Sequence, residues 1–99
     1  MPELRSYLTD GFSEDHVVVR VNGQTILDKS GVTTKKLYGL AEQLRPVQVS
    51  GSRAKVEVHL PDRKIAATFD VDLSQGAHVP IALDNGRLSH SVHKQIGFG

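Results

Sequence analysis

Residues 53–73 read Arg53-Ala54-Lys55-Val56-Glu57-Val58-His59-Leu60-Pro61-Asp62-Arg63-Lys64-Ile65-Ala66-Ala67-Thr68-Phe69-Asp70-Val71-Asp72-Leu73. Side chains alternate across a strand, so Ala54, Val56, Val58 and Leu60 share one face while Arg53, Lys55, Glu57 and His59 share the other. The same period returns with Ile65, Ala67, Phe69, Val71 and Leu73 against Ala66, Thr68, Asp70 and Asp72. Two half-buried strands joined by Pro61-Asp62-Arg63-Lys64 predict a hairpin with one apolar face.

Outward from this hairpin the pattern repeats. Val17, Val19 and Val21 lead into Asn22-Gly23, a dipeptide suited to the positive φ angles of a type I′ turn, and residues 24–28 return. Near the other end, Asp84-Asn85-Gly86 joins Val79, Ile81 and Leu83 to Leu88, His90 and Val92. Glycine recurs at Gly11, Gly23, Gly31, Gly39, Gly51, Gly76, Gly86 and Gly97, a cadence that suits short strands. Strands over residues 4–9, after Gly31 and over 47–49 bring the total to about eight. One sheet of that size leaves an apolar face wet, so the expectation is all-β: a two-sheet antiparallel β-sandwich, immunoglobulin-like or transthyretin-like. Between Thr34 and Arg45 the signals conflict. Leu37, Leu40, Ala41 and Leu44 have helical spacing ahead of Pro46, whereas Gly39 disfavours a helix. A strand through about Tyr38 and one helical turn between Leu40 and Leu44 satisfy both.

The chain has 99 residues, no cysteine and no tryptophan. This is the size of one domain, 1–99, held by its apolar core without disulfides, with residues 94–99 expected as a flexible tail. The longest apolar runs, such as Val17-Val18-Val19, are three residues, far short of the ~20 of a spanning helix. The start, Met1-Pro2-Glu3-Leu4-Arg5, lacks the basic and apolar regions of a secretory signal, and a cytoplasmic location is expected. The net charge of +1 conceals segments of −3 over residues 1–28, +5 over 29–64 and −1 over 65–99.

Asp10-Gly11-Phe12, Val17-x-Val19-x-Val21-Asn22-Gly23, Gly31-Val32-Thr33-Thr34 and Gly97-Phe98-Gly99 resemble a group of small stand-alone bacterial β-sandwich proteins of unknown function. A second likeness is to transthyretin-like or collagen-adhesin B-type modules, in the valine-rich strand and the Gly-x-Thr-Thr stretch. The resemblance implies a compact β-sandwich and no particular activity. The lysine and asparagine pair in apolar strands that would crosslink such modules is missing.

Chemical motifs are sparse. His90 and His93 are the metal candidates, but a separation of three on a strand sends the rings to opposite faces, His90 inward and His93 to water. Asp10, Glu14 and Asp15 in a loop are carboxylates of the kind calcium uses, without its loop spacing. There is no Gly-x-Ser-x-Gly elbow, no Gly-x-Gly-x-x-Gly and no phosphate-binding Gly-x-x-x-x-Gly-Lys. No catalytic residue and no cofactor is assigned, and the expectation is a non-enzyme.

A sandwich does have strand edges that accept partners. The leading expectation is therefore a protein-interaction or accessory module with an unknown protein partner or as a homodimer, without membrane association. Val18, Lys35, Lys36, Tyr38 and Phe98 are the contact candidates. The alternative is a sandwich that binds carbohydrate or metal through loops and histidines. A third reading gives the basic middle segment, with Lys35, Lys36, Arg45, Arg53, Lys55, Arg63 and Lys64, to nucleic acid.

Overall fold

Asn22 and Gly23 take φ of 51° and 84°, as the type I′ turn requires, and this turn sets the register of the first hairpin. Its strands are β2 (Asp15–Val21) and β3 (Gln24–Val32). The turn is clipped to the next strand, because Asn22 exchanges two bonds with Lys55: its N–H donates to the Lys55 carbonyl and its Oδ1 accepts the Lys55 N–H, both at 2.8 Å. The structure, a computed structural model, describes residues 3–35, 37, 39–74 and 76–94. The tail expected over 94–99 lies outside the described residues beyond Lys94.

β6 (Arg53–Leu60) and β7 (Ile65–Asp72) form the hairpin read from the alternation, in register from Arg53–Asp72 to Leu60–Ile65. Pro61 opens the short 3-10 turn between them, and Lys64 closes it at φ 55° with its N–H on the Pro61 carbonyl. β2 pairs β6, giving a four-stranded sheet in the order β3-β2-β6-β7.

The second sheet is built around β1 (Glu3–Leu8). β8 (His78–Asp84) runs parallel to it on one side and pairs β9 (Arg87–His90) through the Asn85-Gly86 turn. On its other side β1 receives two short strands, β4 (Glu42–Gln43) and β5 (Val47–Gln48). The sheets face each other as a small β-sandwich, nine strands among the described residues.

The core lies between them. Leu4, Leu8, Val79, Ile81 and Leu83 meet Val17, Val19, Val21, Val56, Val58, Leu60 and Val71, nearly all fully buried. Each such side chain contributes ~1.5–3 kcal/mol. Ser6 sits among them, fully buried, and its hydroxyl has no hydrogen-bond partner among the described residues.

Two local expectations are corrected. No helical turn forms between Leu40 and Leu44. Gly39 adopts φ 65° in a turn closed by the Lys35–Leu40 bridge, and the Ala41 and Leu44 amides donate to the Leu8 and Ser6 carbonyls of β1. The sheet edge thus takes the backbone groups a helix needs. Leu44 is buried as the helical stripe implied, but Leu37 is 81% exposed. In addition, no new strand starts after Gly31. β3 runs on to Val32 past two bulges, each leaving one extra residue in β3 opposite β2.

Gly11 is a position where only glycine fits. At φ 93°, a Cβ there would lie 1.7 Å from the Leu83 carbonyl oxygen. Thermal unfolding therefore reports both core features. Gly11→Ala is expected to lower stability by about 2 kcal/mol or more through clash and strain. Ser6→Ala, which removes a buried hydroxyl without a partner, is expected to raise it by about 1 kcal/mol.

Candidate functional site

The edges of the two sheets differ in how they end. Along β7 the ladder to β6 is unbroken for eight pairs, with no bulge. The Leu73 N–H donates to the Ser52 carbonyl at 2.8 Å, continuing the register in which Leu73 lies opposite Ser52. Antiparallel strands alternate bonded and non-bonded pairs, so the odd residues of β7 direct their backbone groups to β6. The even residues, Ala66, Thr68, Asp70 and Asp72, direct theirs away from the sheet. No described strand pairs with that side.

The opposite edge is defended. β3 carries its two bulges and Lys29, whose ammonium meets Glu42 across the seam at 3.0 Å. Arg45 closes the same seam by reaching the Thr25 carbonyl at 3.5 Å. β4 and β5 are two residues each, and β9 is four.

On the β7 side the seam is apolar. Phe69 and His90 meet with ring centroids 4.1 Å apart, and Ile65, Ala67, Phe69, Leu88 and Val92 are half-buried. The Phe69 contact removes water from the imidazole, and that desolvation holds the His90 pKa below the ordinary value. On the outer face of this sheet, Arg53 stands opposite Asp72 and Lys55 opposite Asp70. Asp72 also accepts the Ser74 hydroxyl at 2.7 Å and the Ser74 N–H at 3.0 Å. These bonds, with Arg53 adding to them, lower its pKa.

The histidine candidates part company. His90 pairs directly with Ile81 and so shares the inner face, while His93 pairs with His78 on the outer face. His78 and His93 exchange two backbone bonds of 3.0 and 2.8 Å. Tyr7, buried on that outer face, places its hydroxyl 2.8 Å from His78 Nδ1, and Ser91 Oγ lies 2.8 Å from His93 Nε2. His90 and His93 thus stand on opposite faces, as their odd separation implies, and it is the β8–β9 register, not visible in local spacing, that brings His78 to His93. A nucleophile–base pair needs a third group to orient the imidazole. Among the described residues His93 has only the Ser91 side-chain bond, and no three His, Asp or Glu side chains stand close enough to share a metal ion.

The remaining candidates scatter. Val18 is half-buried on the outer face between Asp28 and His59. Lys35 is exposed at its bridge to Leu40; Lys36, Tyr38 and Phe98 lie outside the described residues. Arg63 is committed to Asp15, with bonds of 2.6 and 3.2 Å to a carboxylate only 6% exposed, which also accepts the Ser13 N–H. Asp15 begins β2 with its oxygens thus taken. Asp10 lines an open depression of about 460 Å³ with Phe12, Ser13, Thr33 and Thr34. The two threonines serve the loop itself: Thr34 Oγ1 donates to the Thr9 carbonyl and accepts the Phe12 N–H, and Thr33 Oγ1 accepts the Glu14 N–H. No helix among the described residues is long and apolar enough to cross a membrane.

Compared with protein-family models, with curated proteins and with solved structures, the chain gives no match. The undefended edge is what sequence reasoning missed. Its signal was present in residues 65–72, which hold no proline and no inward-pointing lysine.

The His90 environment can be measured by NMR titration of its ring proton. The midpoint is expected below the ordinary imidazole value of about 6.5 and to rise in Phe69→Ala. A depressed folded pKa means the unfolded chain takes up this proton first. Wild type is therefore expected to lose slightly more stability than His90→Gln as pH falls from the ordinary value through the folded one, with no difference above it.

Proposed function

We propose that this chain is a non-catalytic protein-interaction module that takes its partner by strand addition along β7. The observation that carries the reading is the eight-residue, bulge-free edge whose even-numbered backbone groups have no described strand beside them. Main-chain bonds supply affinity in such recognition, and the side chains at alternate positions supply selectivity. Ala66 and Thr68 are small and exposed, which lets another backbone approach. Ile65, Ala67 and Phe69, half-buried on the inner face, offer apolar surface to the partner's alternate residues.

The other readings have less behind them. The basic residues of the middle segment are spread among carboxylates: Lys55 beside Asp70, Arg53 beside Asp72, Arg63 on Asp15 and Lys29 on Glu42. Nucleic-acid binding prefers a continuous basic face. Carbohydrate or metal binding finds its best support in Tyr7, His78, Ser91 and His93 on the outer face of the β1 sheet. A bacterial source, which rests on the resemblance of the sequence, and a cytoplasmic setting belong to the same proposal.

Amide chemical-shift mapping separates these readings. The isotope-labelled chain is titrated with an extended alternating Val-Thr peptide, zinc chloride, a mixed oligosaccharide pool and a single-stranded oligonucleotide. Strand addition expects shifts and exchange protection at Ala66, Thr68 and Asp70 with the peptide alone. Shifts confined to His78, Ser91 and His93 with zinc or sugar would overturn it.

A further inference from the structure

We infer that the strand β7 is built to receive is β7 of a second copy of this chain, antiparallel and in a register centred on Thr68. The inference rests on the strand-addition reading and supplies its partner. Three observations lead to it.

The first is backbone direction. The even residues of β7 carry the outward N–H and carbonyl groups, since the odd ones bond to β6. A two-fold axis perpendicular to the sheet keeps inner faces inner, so it pairs residues of like parity. Centred on Thr68, it sets the outward-bonding Thr68 against Thr68 and Ala66 against Asp70, and it brings Lys64, the turn residue just before the strand, level with Asp72. The inner face then matches Ala67 with Phe69 and Ile65 with Val71. Such an interface is self-complementary and closes after two copies.

The second is charge. The turn residue just before β7, Lys64, is basic and exposed, and the strand is acidic where it ends, at Asp70 and Asp72. Antiparallel self-pairing brings opposite ends together, whereas parallel pairing would align like charges. Among the allowed registers, centring on Ala67 sets Lys64 against Asp70 but Asp62 against Asp72, two carboxylates. Centring on Phe69 leaves Lys64 facing Ser74. Only the Thr68 centre gives each Lys64 a carboxylate and no like-charged pair within residues 62–74. Asp72 accepts from Ser74 and stands opposite Arg53 within its own sheet, and Arg63, the cation next to Lys64, is occupied by Asp15.

The third is the contrast between edges. β3, the other edge of the same sheet, is bulged and bridged to the second sheet by Lys29 and Arg45, and β7 has neither protection. Small outer-face residues at the centre, Ala66 and Thr68, allow close approach, and opposed threonines are a favourable cross-strand pair. The product is one continuous eight-stranded sheet formed from two four-stranded ones.

The test is sedimentation equilibrium of the whole chain from micromolar to millimolar concentration. A monomer–dimer equilibrium is expected. Thr68→Pro removes an outward N–H and leaves the β6 ladder intact, so it is expected to melt near wild type while raising the dimer Kd at least tenfold. Phe69→Pro, which breaks the β6 ladder, is the contrasting variant and is expected to unfold. Lys64→Glu and Asp72→Lys are each expected to raise Kd about threefold to tenfold, and the double variant to return it to within about twofold of wild type. A dimer that ignores Thr68→Pro would overturn the edge, and a double variant without recovery would overturn the register. If the chain stays monomeric at millimolar concentration, self-pairing fails. Strand addition then stands or falls separately, on whether the Val-Thr peptide shifts Ala66, Thr68 and Asp70.

Discussion

The parallel pairing of β1 with β8 is the constraint on which the sandwich depends. Among the described strands, β1 alone pairs with all three of β4, β5 and β8, so without it the second sheet has no centre. The pairing joins residues more than seventy positions apart, such as Arg5 with His78, and its entropic cost is met only once the core closes over it. Its surroundings reflect that demand. Gly11 lets the following loop lie against the Leu83 carbonyl, and the Thr9 and Leu83 amides extend the ladder by donating to Ile81 and Asp10. Gly76, buried at φ 144°, does the same on the other flank, where a Cβ would meet the His93 backbone at 2.3 Å. Both glycines exist for close backbone approach, and both approaches hold strands of one sheet.

Once β1 and β8 are paired, the distribution of polar groups follows. Outward residues of the two strands, Tyr7 and His78, stack and bond, while the inward Leu4, Leu8, Val79 and Ile81 complete the core. The sandwich then has two seams of different chemistry. One is crossed by Lys29–Glu42 and Arg45, the other by the Phe69–His90 ring contact. The apolar seam sits beneath β7, whose outer side pairs with no described strand. The strand addition we propose would depend on how one sheet ends and would need no pocket.

Much of the fold was legible because strand alternation and turn chemistry are local. Val56, Val58 and Val71 announced an inner face, and Asn22-Gly23 and Asn85-Gly86 announced their turns, since few residues accept positive φ. The stretch around Gly39 misled because its leucines satisfy a helical period that local sequence cannot weigh against a sheet edge several residues away in space. The carbonyls of Leu8 and Ser6 settle that competition. The histidines show the same limit: spacing of three puts His90 and His93 on opposite faces, as found, whereas His78 reaches His93 only through the register between strands.

By itself the amino-acid sequence determined that this chain is all-β, which faces of its strands are buried, and where its hairpins turn. These follow from side-chain period and from φ preferences, both confined to a few adjacent residues. Only the tertiary structure decided that β1 lies between β4, β5 and β8, and that β7 ends its sheet without the bulges and lysine that guard β3. An edge is defined by the strand that is not beside it, a relation between distant segments; the lack of proline and inward lysine in residues 65–72 permits an open edge but does not place it.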